Sequence, residues 1–133
     1  MYNDIEYMKV MNEQEVIQYF LALTAQVKVF HWATMSYSKH KALDELHGSL
    51  SDKMDHFVEC YIGKYKKQPL KNFMVQSKAT SDTSGLDKFL DATHDQLMAM
   101  HKAFDKEKAR ELCNILEEMM AEIDKTVYLC KLS

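Results

Sequence analysis

VFHWATMSYSKHKALDELHGSLSDKMDHFVECYIGKY, residues 29–65, decides the fold because two periodicities run through it at once. Leu43, Leu46, Leu50, Met54, Phe57 and Tyr61 recur at steps of three and four, the core-facing stripe of a helix. His40, Asp44, Asp55 and Glu59 form a second stripe. At about 100° per residue it fills an arc of about 100°, centred about 130° from the first. Those polar groups therefore point sideways, toward a neighbouring helix or another subunit. The stretch also holds four of the six histidines and the single Trp. His31 and Trp32 stand just upstream, across a short polar break. Imidazole nitrogen and carboxylate oxygen together suit iron, manganese or zinc.

Upstream, Val16, Phe20, Leu23, Val27 and Phe30 predict a first helix over 13–32, with Asn12 as N-cap and Glu15 as its box partner. Residues 1–11 form a short acidic lead. Residues 33–37 read as a tight connection, and Ser36 or Ser38 caps the second helix, predicted over 39–66. Gly48 and Gly63 weaken that helix locally, and Pro69 stands at or beyond its end. Residues 67–84 are the only long non-periodic stretch, and Leu70, Phe73, Met74 and Val75 are expected to cover one end of the bundle. Ser84 with Asp87 resembles a capping box for a third helix carrying Leu86, Phe89, Leu90, Thr93, Leu97, Met100 and Phe104. Asp105 is expected to cap a fourth, with Leu112, Ile115, Leu116, Met119, Ile123, Val127 and Cys130 on its apolar stripe. The fold class is all-α: one domain over 1–133, a four-helix up-down bundle with a longer crossover between the second and third helices, in a ferritin-like layout.

Composition sets the outer limits. At 133 residues the chain can build one core, and three Gly and one Pro leave long helices with few turns. The net charge of −3 gives no global positive field for nucleic acid, so only weak, salt-sensitive binding is expected. No run of about 18 apolar residues predicts a membrane span, and MYNDIEYMKV has no signal-peptide character. Cys60, Cys113 and Cys130 match no zinc spacing and read as reduced thiols of a cytoplasmic chain. His47 and His56 read as surface residues, His94 and His101 as a half-exposed stripe, Trp32 as a core or interface anchor, and the ten Met as gap-fillers. Asp44-x-x-His47 and Asp91-x-x-His94 mimic the carboxylate-x-x-His spacing of di-iron bundles. Such a site also needs inward carboxylates from the other helices, and none stands between Val16 and Trp32.

The segment from His31 to Glu59 resembles the ferroxidase segment of Dps proteins, the mini-ferritins. His31-Trp32 matches that family's His-Trp at the end of the first helix. His40, Asp44, Asp55 and Glu59 match its H-x3-D-x10-D-x3-E at every spacing. EKARELCNILEEMMAEIDKTVYLC, near the end of the chain, looks like its last helix. The resemblance implies Fe(II) oxidised to Fe(III) by O2 or peroxide at ligands shared across a two-fold interface. His31, His40 and Asp44 would come from one subunit, with Asp55 and Glu59 from its partner. It further implies a homo-oligomer, at least a dimer and in the family's assembled form a dodecameric cage. The lysine-rich tail that some members use on DNA is missing from this sequence. The segment also looks like small ferritin-like proteins of large DNA viruses and phages, which adds a virion or virus factory to the cytoplasm as settings. The competing reading is a ferritin-like structural or assembly protein with a vestigial metal site.

Overall fold

The computed structural model describes residues 13–67, 72–77 and 84–132. Its elements are α1 (Glu13–Ala33), α2 (Tyr37–Tyr65), α3 (Leu86–Lys106) and α4 (Arg110–Cys130), and no strand occurs among the described residues. The chain is an all-α four-helix bundle. The stripe positions named above supply most of the core, with Val27, Leu43, Phe57, Leu90, Leu97, Leu116 and Ile123 fully buried. Phe57 sits at its centre, edge-on to Phe20 and Phe104 at centroid separations of 5.1 and 5.7 Å.

The α1–α2 and α3–α4 connections are too short for anything but antiparallel neighbours. α2 and α4 are antiparallel as well: Glu45–Lys125, Lys53–Glu118 and Lys64–Glu111 pair with one number rising as the other falls. α1 packs on α2, α2 on α4 and α4 on α3. α1 and α3 meet loosely, at Phe30 and Phe89, and leave a groove lined by Tyr19, Leu23, Gln26, Phe89 and Gln96. α3 starts at the end of the bundle opposite to where α2 stops. Between the two in sequence, the Met74 carbonyl accepts from Gln18 on α1.

Local signals fared unevenly. Ser36 caps α2, its hydroxyl accepting from the Lys39 N–H at 3.3 Å. Ser84 and Asp87 do not form a box: the N-cap of α3 is Gly85, with no side-chain cap bond. Asp105 does not cap α4 either. It stays inside α3, its carboxylate takes Arg110 at 2.6 Å, and Ala109 is the N-cap of α4. Lys108, at φ 60°, makes the turn instead. Met74 and Val75 are largely exposed, so they do not cover an end of the bundle. Asn12, Pro69, Leu70 and the 1–11 lead lie outside the described residues.

Candidate functional site

The turn from α1 to α2 folds two histidines onto each other. His31 is in the last turn of α1 and His40 in the first turns of α2, nine residues on. Their rings stack at 3.8 Å between centroids and 21° between planes. The His31 Nδ1–H donates to the His40 carbonyl at 2.8 Å, and the His40 Nδ1–H donates to the His31 carbonyl at 3.0 Å. A carbonyl only accepts, so each Nδ1 carries a proton, and in the neutral ring Nε2 is then the atom with the lone pair. That is the tautomer a metal ligand needs, fixed by backbone partners. His31 is buried and His40 half-buried.

Asp44 follows one turn after His40. Its carboxylate lies 4.0 Å from His31 Nε2 and 3.9 Å from Lys28 Nζ, and its side chain is 56% exposed. His47, half-buried beside this group, is held below its ordinary value of 6.5. Burial is the larger cause and the Lys28 charge the next, against an opposing pull from Asp44.

Asp55 and Glu59 do not join them. Eleven residues further along α2 is about 16 Å at 1.5 Å per residue. Both are exposed, and neither has an ion pair or hydrogen bond with another described residue. Among the described residues no three His, Cys, Asp or Glu side chains of the chain are grouped to hold a metal ion. The five residues singled out by spacing thus fall into two sets, His31, His40 and Asp44 at the corner, and Asp55 with Glu59 on a bare stretch of helix.

Beside the corner, Trp32, Met35 and Tyr37 are 70%, 96% and 75% exposed. Trp32 is therefore not a core residue. Three large apolar side chains within six residues form an unusual projection for a small chain. Sequence reasoning also missed the reciprocal histidine bonds, whose only trace is two histidines flanking one short connection. His94 and His101 proved to span the α3–α4 seam, to Asp124 at 3.5 Å and Glu117 at 2.7 Å. Cys113 and Cys130 are buried thiols and Cys60 a half-buried one, none in a disulfide among the described residues, and burial raises the first two above the usual thiol range. No helix among the described residues is long and apolar enough to cross a membrane.

A family model described as a family of unknown function (DUF5856) matches residues 31–130, from the first corner histidine to the end of α4. No curated protein and no solved structure matches the chain.

Proposed function

The chain belongs to that family of unknown function, so its role has to be read from its own residues, and we propose that it is a mini-ferritin-like protein that oxidises Fe(II) at sites shared between two copies. The observation that carries this reading is the reciprocal His31–His40 pair, whose backbone bonds engage both Nδ1 atoms and leave both Nε2 atoms for a ligand role, with the Asp44 carboxylate 4.0 Å from the Nε2 of His31. Nothing in the bundle core requires that arrangement. Two imidazoles and one carboxylate are half of a suitable iron environment, and Asp55 and Glu59 are the other half.

An antiparallel pairing of α2 with the α2 of a second copy would bring the halves together. Lys28 and Lys41 stand at one end of this face, with Asp44 between them, while Asp52, Asp55 and Glu59 make the other end acidic. A two-fold axis between them matches each end to its opposite. The exposed Trp32, Met35 and Tyr37 supply apolar area next to that face. In this reading Fe(II) is the substrate. Two Fe(II) give up one electron each, and one peroxide takes both electrons with two protons to become two waters. The carboxylates favour Fe(III) over Fe(II), and the imidazoles place the ions.

The test is complementation in trans. His40→Ala and Asp55→Asn should each lose iron oxidation. Unfolded together and refolded, they should regain about a quarter of the sites, because half of the dimers are mixed and each mixed dimer has one intact site of two. No recovery, with a dimer confirmed by mass, would refute the shared site. A stable oligomer that neither binds nor oxidises Fe(II) would favour an assembly protein.

A further inference from the structure

Gly48 stands in the middle of α2, and the packing of its own chain does not call for it. A Cβ added there meets no other side chain or element within 4 Å among the described residues, and the position is exposed. Glycine is among the least favourable residues in a helix interior, so alanine would suit the single chain better. Gly63 is equally open, but it lies in the last turn of α2, which ends at Tyr65.

The side of α2 that carries Gly48 repeats every seven residues on two tracks, Tyr37–Asp44–Ser51 and Gly48–Asp55–Ile62, the spacing of a helix-pair seam. The tracks mirror each other. Residues 37 and 62, 44 and 55, and 48 and 51 are equidistant from the midpoint between residues 49 and 50. A two-fold axis through that midpoint sets α2 antiparallel to a second α2, with Asp44 of each copy level with Asp55 of the other. That register follows from Asp44 and Asp55 alone, yet it puts the unexplained glycine beside the axis. It also sets Tyr37, 75% exposed, level with the half-buried Ile62 of the second copy, so apolar groups meet at both ends. Only small groups stand at the crossing, which lets the helix axes approach to about 8 Å, the near limit of helix packing.

We infer that α2 docks on the α2 of a second copy in this one register, with Gly48 and Ser51 at the two-fold axis as the point of closest approach. The inference rests on the shared-site reading, which needs Asp44 and Asp55 level with each other, and it adds the residues that fix that level.

Sedimentation velocity of the full chain tests it, in an Asp44→Asn/Asp55→Asn background with chelator, where neither the facing charges nor a metal contributes. The background should dimerise. Gly48→Leu should weaken that dimer by at least about tenfold, because bulk from both copies overfills the crossing, while helical circular dichroism and the Tm of the dilute chain hold or rise. Gly63→Leu, off the seam, should leave association unchanged. In the same background with Cys60→Ser, Ser51→Cys treated with diamide should form an intermolecular disulfide. The two copies of residue 51 are about 4.5 Å apart along the pair, which at that approach puts their Cα atoms about 6 Å apart, within disulfide reach. Lys41→Cys, about 25 Å from its copy along the pair, should not cross-link. A monomeric background would overturn the inference, as would a Gly48→Leu dimer as tight as the background, equal losses at Gly48 and Gly63, or cross-linking of Lys41→Cys without Ser51→Cys. Full Fe(II) oxidation and full association by Gly48→Leu in the otherwise unmodified chain would overturn it and leave the iron reading standing. The expected association and cross-links, from a chain that when unmodified oxidises no Fe(II), would remove the iron reading and leave the docking register.

Discussion

Removing the His40 ring should loosen the α1–α2 corner as well as delete a ligand. The His40 Nδ1–H reaches the His31 carbonyl at 3.0 Å, one of the last carbonyls of α1, which the helix itself leaves unpaired. His40→Ala deletes that bond, worth about 0.5–1.5 kcal/mol. It also deletes the ring contact at 3.8 Å, an aromatic pairing worth about 0.5–1.5 kcal/mol. His40 is half-buried, so the lower part of each range applies, and the expected loss is about 1–2 kcal/mol. For a chain of this size that lowers Tm by roughly 3–8 °C. His40→Asn separates the two roles, because its amide N–H can replace the Nδ1–H while supplying no Nε2. Thermal and urea unfolding in the presence of a chelator should rank the unmodified chain above His40→Asn, and His40→Asn above His40→Ala. Anaerobic Fe(II) should then stabilise only the unmodified chain. If His40→Ala unfolded with the unmodified protein in chelator, or His40→Asn were no better than His40→Ala, the capping role would be refuted.

Asp55→Asn relieves the repulsion from Glu59 one turn away, so the metal-free chain should gain a few tenths of a kcal/mol while losing Fe(II)-dependent thermal stabilisation. Unaltered iron oxidation in this variant would remove the catalytic reading. Trp32→Ser with Tyr37→Ser, both at exposed positions, should leave Tm in the monomer range unchanged but weaken self-association by an order of magnitude or more, as loss of interface aromatics does; sedimentation velocity decides. His47 should titrate below 6.5 by NMR. Between that value and its lower folded value the unfolded chain binds the extra proton, so stability should fall as pH drops through this window, and His47→Gln should flatten that slope. Lys108 adopts φ 60° in the α3–α4 turn, and Lys108→Gly should stabilise the chain by about 1 kcal/mol, read by urea midpoint at constant m-value.

The bundle was legible because burial and helical period are one signal. Leu43, Leu46, Leu50, Phe57 and Tyr61 are buried as their spacing requires, and Asp44, Asp55 and Glu59 are exposed on the offset face. The helix ends were less legible. A Ser-x-x-Asp pattern such as Ser84 to Asp87 is short and common, and which residue caps depends on where the chain enters. Asp105 had two uses open to it, and the Arg110 guanidinium across the turn took its carboxylate. The histidine corner left no periodic trace, because side chain to backbone bonds between two helices follow from the turn that joins them. Trp32 shows the same limit: spacing places it beside His31, but only the direction of the turn leaves it 70% exposed.

Capping a helix and binding a metal make the same demand on a histidine. A proton held on Nδ1 by a carbonyl satisfies the helix end and frees Nε2 for a ligand role. The His31–His40 pair meets both demands at once, so this half of the proposed site is organised before any metal arrives. Asp55 and Glu59 have no such support, being exposed on a bare helix face. A chain alone would then bind Fe(II) poorly, and most of the affinity would come from bringing the second half to the first. Metal binding and association are in that case linked by one coupling free energy. Fe(II) should tighten the dimer by the same factor by which dimerisation tightens Fe(II). That equality can be measured from both sides, by sedimentation with and without the metal and by Fe(II) titration above and below the dimer dissociation constant. A factor of one from both sides would mean that the ligands do not come from two chains.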